Sequence, residues 1–294
     1  MRKIILACDG DNFSEGAFEF ACNLNEQHSI LACGIFLPQL AFLNPLSYEG
    51  TKAVPAYIPL ISKEDTQVIE KNIERFKMLC LSHGIEHRVH KDFEDFPLQE
   101  LAKETRYADL MIVGSELFYE ELGVAKAKVY LESALHLSEC PVIVVPEKYN
   151  FPQKVILTYD GSKNSVHAIK QFAYLFHELT SKQTLVLYSP QKKRELPEKS
   201  NIEEFLTCHF SDLVFSTSER DLKKMLAPWT NHNAAPIVVA GSYGRPLVSQ
   251  LFKKSFITQI IKDFNLGRKF TKFLQSCASL QLKKAEKGWQ VSLN

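Results

Sequence analysis

The chain states one pattern twice, and that repetition constrains its fold more than any single motif. Near the start runs Lys3-Ile-Ile-Leu-Ala-Cys-Asp9-Gly10, followed by Ser14 and Ala17; from Lys154 runs Lys-Val-Ile-Leu-Thr-Tyr-Asp160-Gly161, followed by Ser165 and Ala168 at the same offsets. Each half then reaches an apolar run that ends in Gly-Ser: Met111-Ile-Val-Gly114-Ser115 and Ile237-Val-Val-Ala-Gly241-Ser242. Paired anchors in the same order are the signature of an internally duplicated domain. The 294 residues suffice for two domains of about 150 residues each.

The first half alternates strand and helix signals. Ile4–Cys8 is a short apolar run of the kind buried on both faces of a sheet. Asp9-Gly10-Asp11-Asn12 is turn chemistry, and Ser14–Leu24 carries helical spacing at Phe13, Ala17, Phe20, Ala21 and Leu24. Ser29–Phe36 reads as a strand, and the proline-rich stretch from Pro38 to Lys63 as an insertion or lid without regular structure. There follow a helix over Glu64–Ser82 closed by Gly84, a strand over Ile85–Val89 and a helix over Pro97–Tyr107. A strand over Asp109–Val113, a helix over Lys126–Ser138 and a strand within Pro141–Pro146 complete the half.

After the linker Glu147–Gln153 the second half predicts strands at Val155–Tyr159, Thr184–Tyr188, Asp212–Phe215 and Ile237–Ala240. Its helices are predicted near Asn164–Leu179, Ile202–Cys208, Glu219–Ala227 and Ser255–Phe264. Strict alternation implies right-handed crossovers and a parallel sheet covered on both faces. The tail departs from the repeat: after Leu266 no proline-led fifth strand is evident, so 267–294 reads as an atypical extension. Two outcomes stand open. Either Trp289–Leu293 returns as a replacement strand, or the unpaired edge at Val142–Val145 recruits a second protomer.

Together these residues resemble the universal stress protein family. Each half has a buried strand ending in Asp-Gly and then an amphipathic helix. Ala108-Asp-Leu-Met-Ile-Val-Gly-Ser115 is similar to the family's Ala-Asp-Leu-Ile-Val-x-Gly-Ser strand, and Cys140-Pro-Val-Ile-Val-Val-Pro146 to its closing Cys-Pro-Val strand. Gly241-Ser-Tyr-Gly-Arg245 is similar to the family's Gly-Ser-x-Gly-Arg loop. The likeness spans about 265 residues and lapses only in the tail. It implies two tandem flavodoxin-like α/β domains, of the adenine nucleotide alpha-hydrolase-like type, over 1–147 and 153–266. Each would hold an open parallel five-stranded sheet, and the two would form an intrachain pseudo-dimer.

The family's ATP-binding members carry Gly-x2-Gly-x9-Gly-Ser/Thr after the fourth strand, where glycines and the N–H groups of the next helix receive phosphate. In the second half Gly241 and Gly244 match, Lys254 stands in place of the third glycine, and Ser255 keeps the hydroxyl. The resemblance therefore implies an imperfect site for ATP or another adenine nucleotide at Asp160, Gly161, Gly241, Ser242, Gly244, Arg245, Lys254 and Ser255. Asp160 corresponds to the adenosine-contacting aspartate of the family. In the first half Leu117 replaces the second glycine and Ala127-Lys128 the final pair, so no nucleotide is expected there. A different reading of Asp9 and Asp160 is helix capping, which needs the same residue type in the same place.

The remaining signals point away from other chemistry. Neither Ser115 nor Ser242 sits in a Gly-x-Ser-x-Gly elbow, and no Gly-x4-Gly-Lys-Ser/Thr loop occurs. His87 and His90 fall on opposite faces of a strand, and His232 reads as a loop histidine. The seven cysteines are scattered without a Cys-x-x-Cys pair, which fits buried reduced thiols in a cytoplasmic protein and no metal cluster. A net charge of +1 offers no field for nucleic acid, and no apolar run approaches membrane-spanning length. The expectation is a non-catalytic stress-response or signalling module. A weak ATPase or adenylating enzyme, and a ligand-free scaffold, are the alternatives.

Overall fold

A computed structural model describes residues 1–9, 12–37, 39–43, 56–60, 63–91, 97–115, 131, 133–148, 150–188, 196–217, 229, 236–241, 271–275, 280–285 and 288–293. The predicted helices at Glu219–Ala227 and Ser255–Phe264, and the start of the one at Lys126–Ser138, fall outside them.

In chain order the first half contributes β1 (Arg2–Cys8), α1 (Glu15–Gln27), β2 (Ile30–Phe36), β3 (Gln39–Leu43), β4 (Ala56–Leu60), α2 (Lys63–Ser82), β5 (Glu86–His90), α3 (Pro97–Thr105), β6 (Leu110–Gly114) and β7 (Val142–Val145), with residues 133–137 helical before β7. The second half contributes β8 (Lys154–Tyr159), α4 (Lys163–Leu175), β9 (Gln183–Tyr188), α5 (Lys199–His209), β10 (Leu213–Thr217), β11 (Pro236–Gly241), β12 (Thr271–Gln275), β13 (Leu280–Ala285) and β14 (Gly288–Leu293).

Ten of these strands form one sheet in the order β10-β9-β8-β11-β12-β7-β6-β1-β2-β5. Within each half every neighbouring pair is parallel. Read outward from the middle, both halves use the same order of their own strands. Uninterrupted apolar runs explain the parallel core. All of Leu110–Gly114 and Val142–Val145 are buried, as strands covered by helices on both faces must be. Among the described residues no helix is long and apolar enough to cross a membrane.

The tail reading needs correction. The second half does have a fifth strand: Thr271–Gln275 runs parallel to β11 and antiparallel to β7, pairing Phe273 with Ile143 and Leu274 with Val142. The edge at Val142–Val145 is thus neither open nor filled by the terminus. Trp289–Leu293 pairs instead with Leu280–Ala285 as a separate two-stranded ribbon. The β12 strand escapes a sequence reading because Lys272 interrupts the apolar run and no proline leads it. The proline-rich insertion also holds regular structure, since Gln39–Leu43 and Ala56–Leu60 pair antiparallel. Pro59 is tolerated there because each strand of a two-stranded ribbon keeps an open edge.

Aromatic packing backs the seam between halves. Phe273 is fully buried, with ring centroids 5.4 Å from Phe172 and 5.8 Å from Phe176. Phe176 reaches Phe20 of α1 at 6.5 Å, and Phe20 stacks on Phe151 of the linker at 5.5 Å. One continuous apolar layer therefore runs across both halves. Truncating a buried phenylalanine costs about 3–5 kcal/mol in transfer and cavity energy. Phe273→Ala should lower the unfolding free energy by that amount, read as a lower urea midpoint at an unchanged m-value. An unaltered midpoint would mean that β12 does not hold the two halves together.

Candidate functional site

In an open α/β sheet the crevice for ligands lies beyond the carboxyl ends of the strands, where the strand order reverses. The order found here has two such points, β1/β6 in the first half and β8/β11 in the second. Asp9 follows β1 and Gly114 ends β6; Asp160 follows β8 and Gly241 ends β11. Asp9 with Gly114, and Asp160 with Gly241, thus flank equivalent crevices.

Beside the first crevice a linker carboxylate meets the start of α1. Glu147, just beyond β7, sits at the N-terminus of α1: Ser14 Oγ donates to its Oε1, and the Glu15 and Gly16 amides donate to Oε2 at 3.1 and 3.5 Å. The start of a helix favours negative charge because its first amides lack partners and its dipole is positive there. A carboxylate of the chain itself thus takes up the unpaired amides at the start of α1. Two glycines permit the approach. A Cβ on Gly16 would lie 2.2 Å from the Pro146 carbonyl oxygen, and one on Gly114 would lie 2.6 Å from Ser14 Oγ. Asp9, almost fully buried, closes the turn by accepting from the Asn12 amide at 2.7 Å.

The helix caps differ from the capping reading of the aspartates. Ser14 caps α1 by accepting from the Ala17 amide, and Ser162 caps α4 by accepting from the Ser165 amide at 3.3 Å. Asp160 acts one step earlier, its Oδ1 accepting from the Ser162 amide at 2.9 Å. Both aspartates therefore shape the turn, and a serine caps the helix. Ser165, equivalent to Ser14 in the repeat, lies inside α4, because the second helix starts earlier relative to its Asp-Gly.

In the second crevice Gly161 adopts φ +78°, a left-handed conformation that glycine takes at no steric cost. Gly241 abuts the start of α4, where a Cβ would come within 2.2 Å of the Asn164 carbonyl oxygen. Beneath the turn, the Tyr159 hydroxyl donates to the Pro197 carbonyl at 2.9 Å, and burial pushes the phenol's pKa up. The structure brings Asp160, Gly161 and Gly241 to one crevice. Ser242, Gly244, Arg245, Lys254 and Ser255 lie outside the described residues, as does His232.

No family model matches the sequence, and no curated protein matches it in sequence. Solved structures do match the fold. A universal stress protein from Archaeoglobus fulgidus DSM 4304 superposes with a TM-score of 0.62 at 17% identity, covering 94% of this chain and 96% of that one. The chain carries the universal stress protein fold. A functionally unknown protein from Pseudomonas aeruginosa PAO1 follows with a TM-score of 0.51 at 11% identity, covering 94% and 92%. A protein of Pseudomonas aeruginosa UCBPP-PA14, provisionally named a universal stress protein, gives 0.51 at 11%, covering 94% and 93%.

Within this universal stress protein fold, Glu147 is the residue beside the first crevice that motif reading missed. Its only signal is an acid directly after the proline that ends the fifth strand, and linkers commonly carry acids. The described cysteines are free thiols, with Cys8, Cys33, Cys80 and Cys140 buried and Cys208 exposed. Burial pushes the thiols of Cys80 and Cys140 up to about 12, far from nucleophilic range. For Glu147, replacing a helix-end acceptor costs about 1–2 kcal/mol. Glu147→Ala should show that loss in chemical denaturation, and Glu147→Gln should recover part of it through the remaining carbonyl. A silent Glu147→Ala would mean that the carboxylate does not stabilise the start of α1.

Proposed function

We propose that the chain is a non-catalytic stress-response or signalling module of the universal stress protein type, with a single adenine-nucleotide site in its second half. The observation that carries this reading is the contrast between the crevices. Glu147 occupies the helix start beside Asp9 and Gly114, whereas Asp160, Gly161 and Gly241 flank the crevice whose sequence retains the Gly-x2-Gly spacing and a hydroxyl at Ser255. Asp160 would meet the adenosine, the loop from Gly241 to Arg245 the phosphates, and Lys254 a phosphate as a point charge. The antiparallel β7–β12 seam is the basis for reading the two halves as an intrachain pseudo-dimer.

Titration with ATP, ADP and AMP while following thermal unfolding tests the reading. A ligand at a hundred times its dissociation constant stabilises the folded state by about 2.7 kcal/mol, a shift of several degrees. The expected result is a rise in melting temperature without phosphate or pyrophosphate release. Turnover would make the protein an ATPase or adenylating enzyme, and no shift with any nucleotide would make it a ligand-free scaffold.

Lys254 gives a sharper prediction. Lys254→Ala should weaken ATP more than AMP, and the difference should shrink at high salt as the charge is screened. Equal losses for the two nucleotides would remove the lysine from the phosphate site.

A further inference from the structure

Away from both crevices, three chemically distinct ligand atoms converge on the face of the first-half sheet that α3 covers. Cys33 lies within β2, His90 ends β5, and Glu104 sits in the last turn of α3. The Cys33 Sγ to His90 Nδ1 distance is 3.6 Å, and His90 Nδ1 to Glu104 Oε1 is 2.8 Å. The sulfur, nitrogen and carboxylate oxygen all lie within 4.8 Å of one another. We propose that Cys33, His90 and Glu104 form a three-ligand site for a divalent transition ion of the zinc type, with solvent supplying the fourth position.

The geometry separates this from a nucleophilic triad. In a Cys-His-acid triad the thiol bonds one ring nitrogen and the acid the other, so that the acid orients the base. Here both partners address the same Nδ1, an arrangement that cannot relay a proton but does surround a point. Zinc–sulfur and zinc–nitrogen bonds of about 2.3 and 2.05 Å place those two ligands about 3.5 Å apart in a tetrahedron. The observed 3.6 Å already fits that edge. The nitrogen–oxygen edge would be about 3.4 Å, so Glu104 need withdraw by only about 0.6 Å. Both side chains reach solvent, that of Glu104 being 25% exposed and that of His90 40% exposed. The same exposure leaves a face of the site open to water.

The charge balance is also favourable. A thiolate and a carboxylate neutralise a dication, and Lys3 Nζ lies 3.8 Å from the other Glu104 oxygen, where it can orient the carboxylate from outside. Burial pushes the Cys33 thiol up to about 11, so it is a poor free nucleophile and would release its proton on binding metal. His87 does not take part. It packs edge-on against Phe76 on the opposite sheet face, as the three-residue spacing within a strand requires. The ligands are 57 and 14 residues apart in sequence, which is why no spacing motif reveals them.

Cobalt(II) added to the full-length protein under reducing, oxygen-free conditions tests the proposal. The expected result is one ion per chain, with a sulfur-to-cobalt charge-transfer band that zinc abolishes by displacement. Cys33→Ser should lose the band, and Cys208→Ser, which removes an exposed thiol, should keep it. Because Cys33 is buried, Glu104→Gln supplies a second variant at a partly exposed position. It should weaken zinc binding by at least the about tenfold that even outer-shell changes cause. A band that survives Cys33→Ser, wild-type affinity in Glu104→Gln, or no band and no zinc-dependent rise in melting temperature in the wild type would each overturn the site.

Discussion

The structure depends on the antiparallel pairing of Val142–Val145 with Thr271–Gln275. Every other strand contact in the main sheet is parallel and lies within one half, so this seam alone makes a single ten-stranded sheet of two repeats. Hydrogen bonding supplies the register, but the cohesion comes from what lies over it. Phe273 from one side, Phe20 from the other, and Phe151, Phe172 and Phe176 around them form one aromatic cluster. Aromatic pairs in stacked and edge-on contact add about 0.5–1.5 kcal/mol each beyond the area they bury. A duplicated domain that meets itself through its fifth strands has no sheet edge left exposed at the centre.

The duplication does not make the halves equivalent. The linker that leads from β7 into the second repeat must pass the start of α1, and it places Glu147 there. One residue thereby links the connection between the halves to the chemistry of the first crevice. Gly16 and Gly114 make the passage possible, because any side chain at either would collide with Pro146 or Ser14. The asymmetry in function proposed for the two crevices thus has its origin in chain connectivity.

The parts of the fold that were legible in the sequence are those with an uninterrupted apolar run or a helical period. Ile4–Cys8, Val155–Tyr159 and Ile237–Ala240 are strands within a residue or two of their expected ends. Strand β12 was not legible, because Lys272 breaks its apolar pattern and its pairing depends on a partner more than a hundred residues away. The β3–β4 ribbon was hidden by its prolines. Of the candidate site, Asp160, Gly161 and Gly241 were found because a short motif holds them. Glu147 and the Cys33, His90 and Glu104 cluster were not, because tertiary packing alone brings them together.

Calorimetric stoichiometry tests the central claim most directly. If Glu147 closes the first crevice and the second is the adenine-nucleotide site, titration of the full chain with ATP should saturate at one nucleotide per chain. Saturation at two nucleotides per chain would contradict the account, because it would require the crevice beside Ser14 and Glu147 to accept the anion that the linker carboxylate is held to exclude.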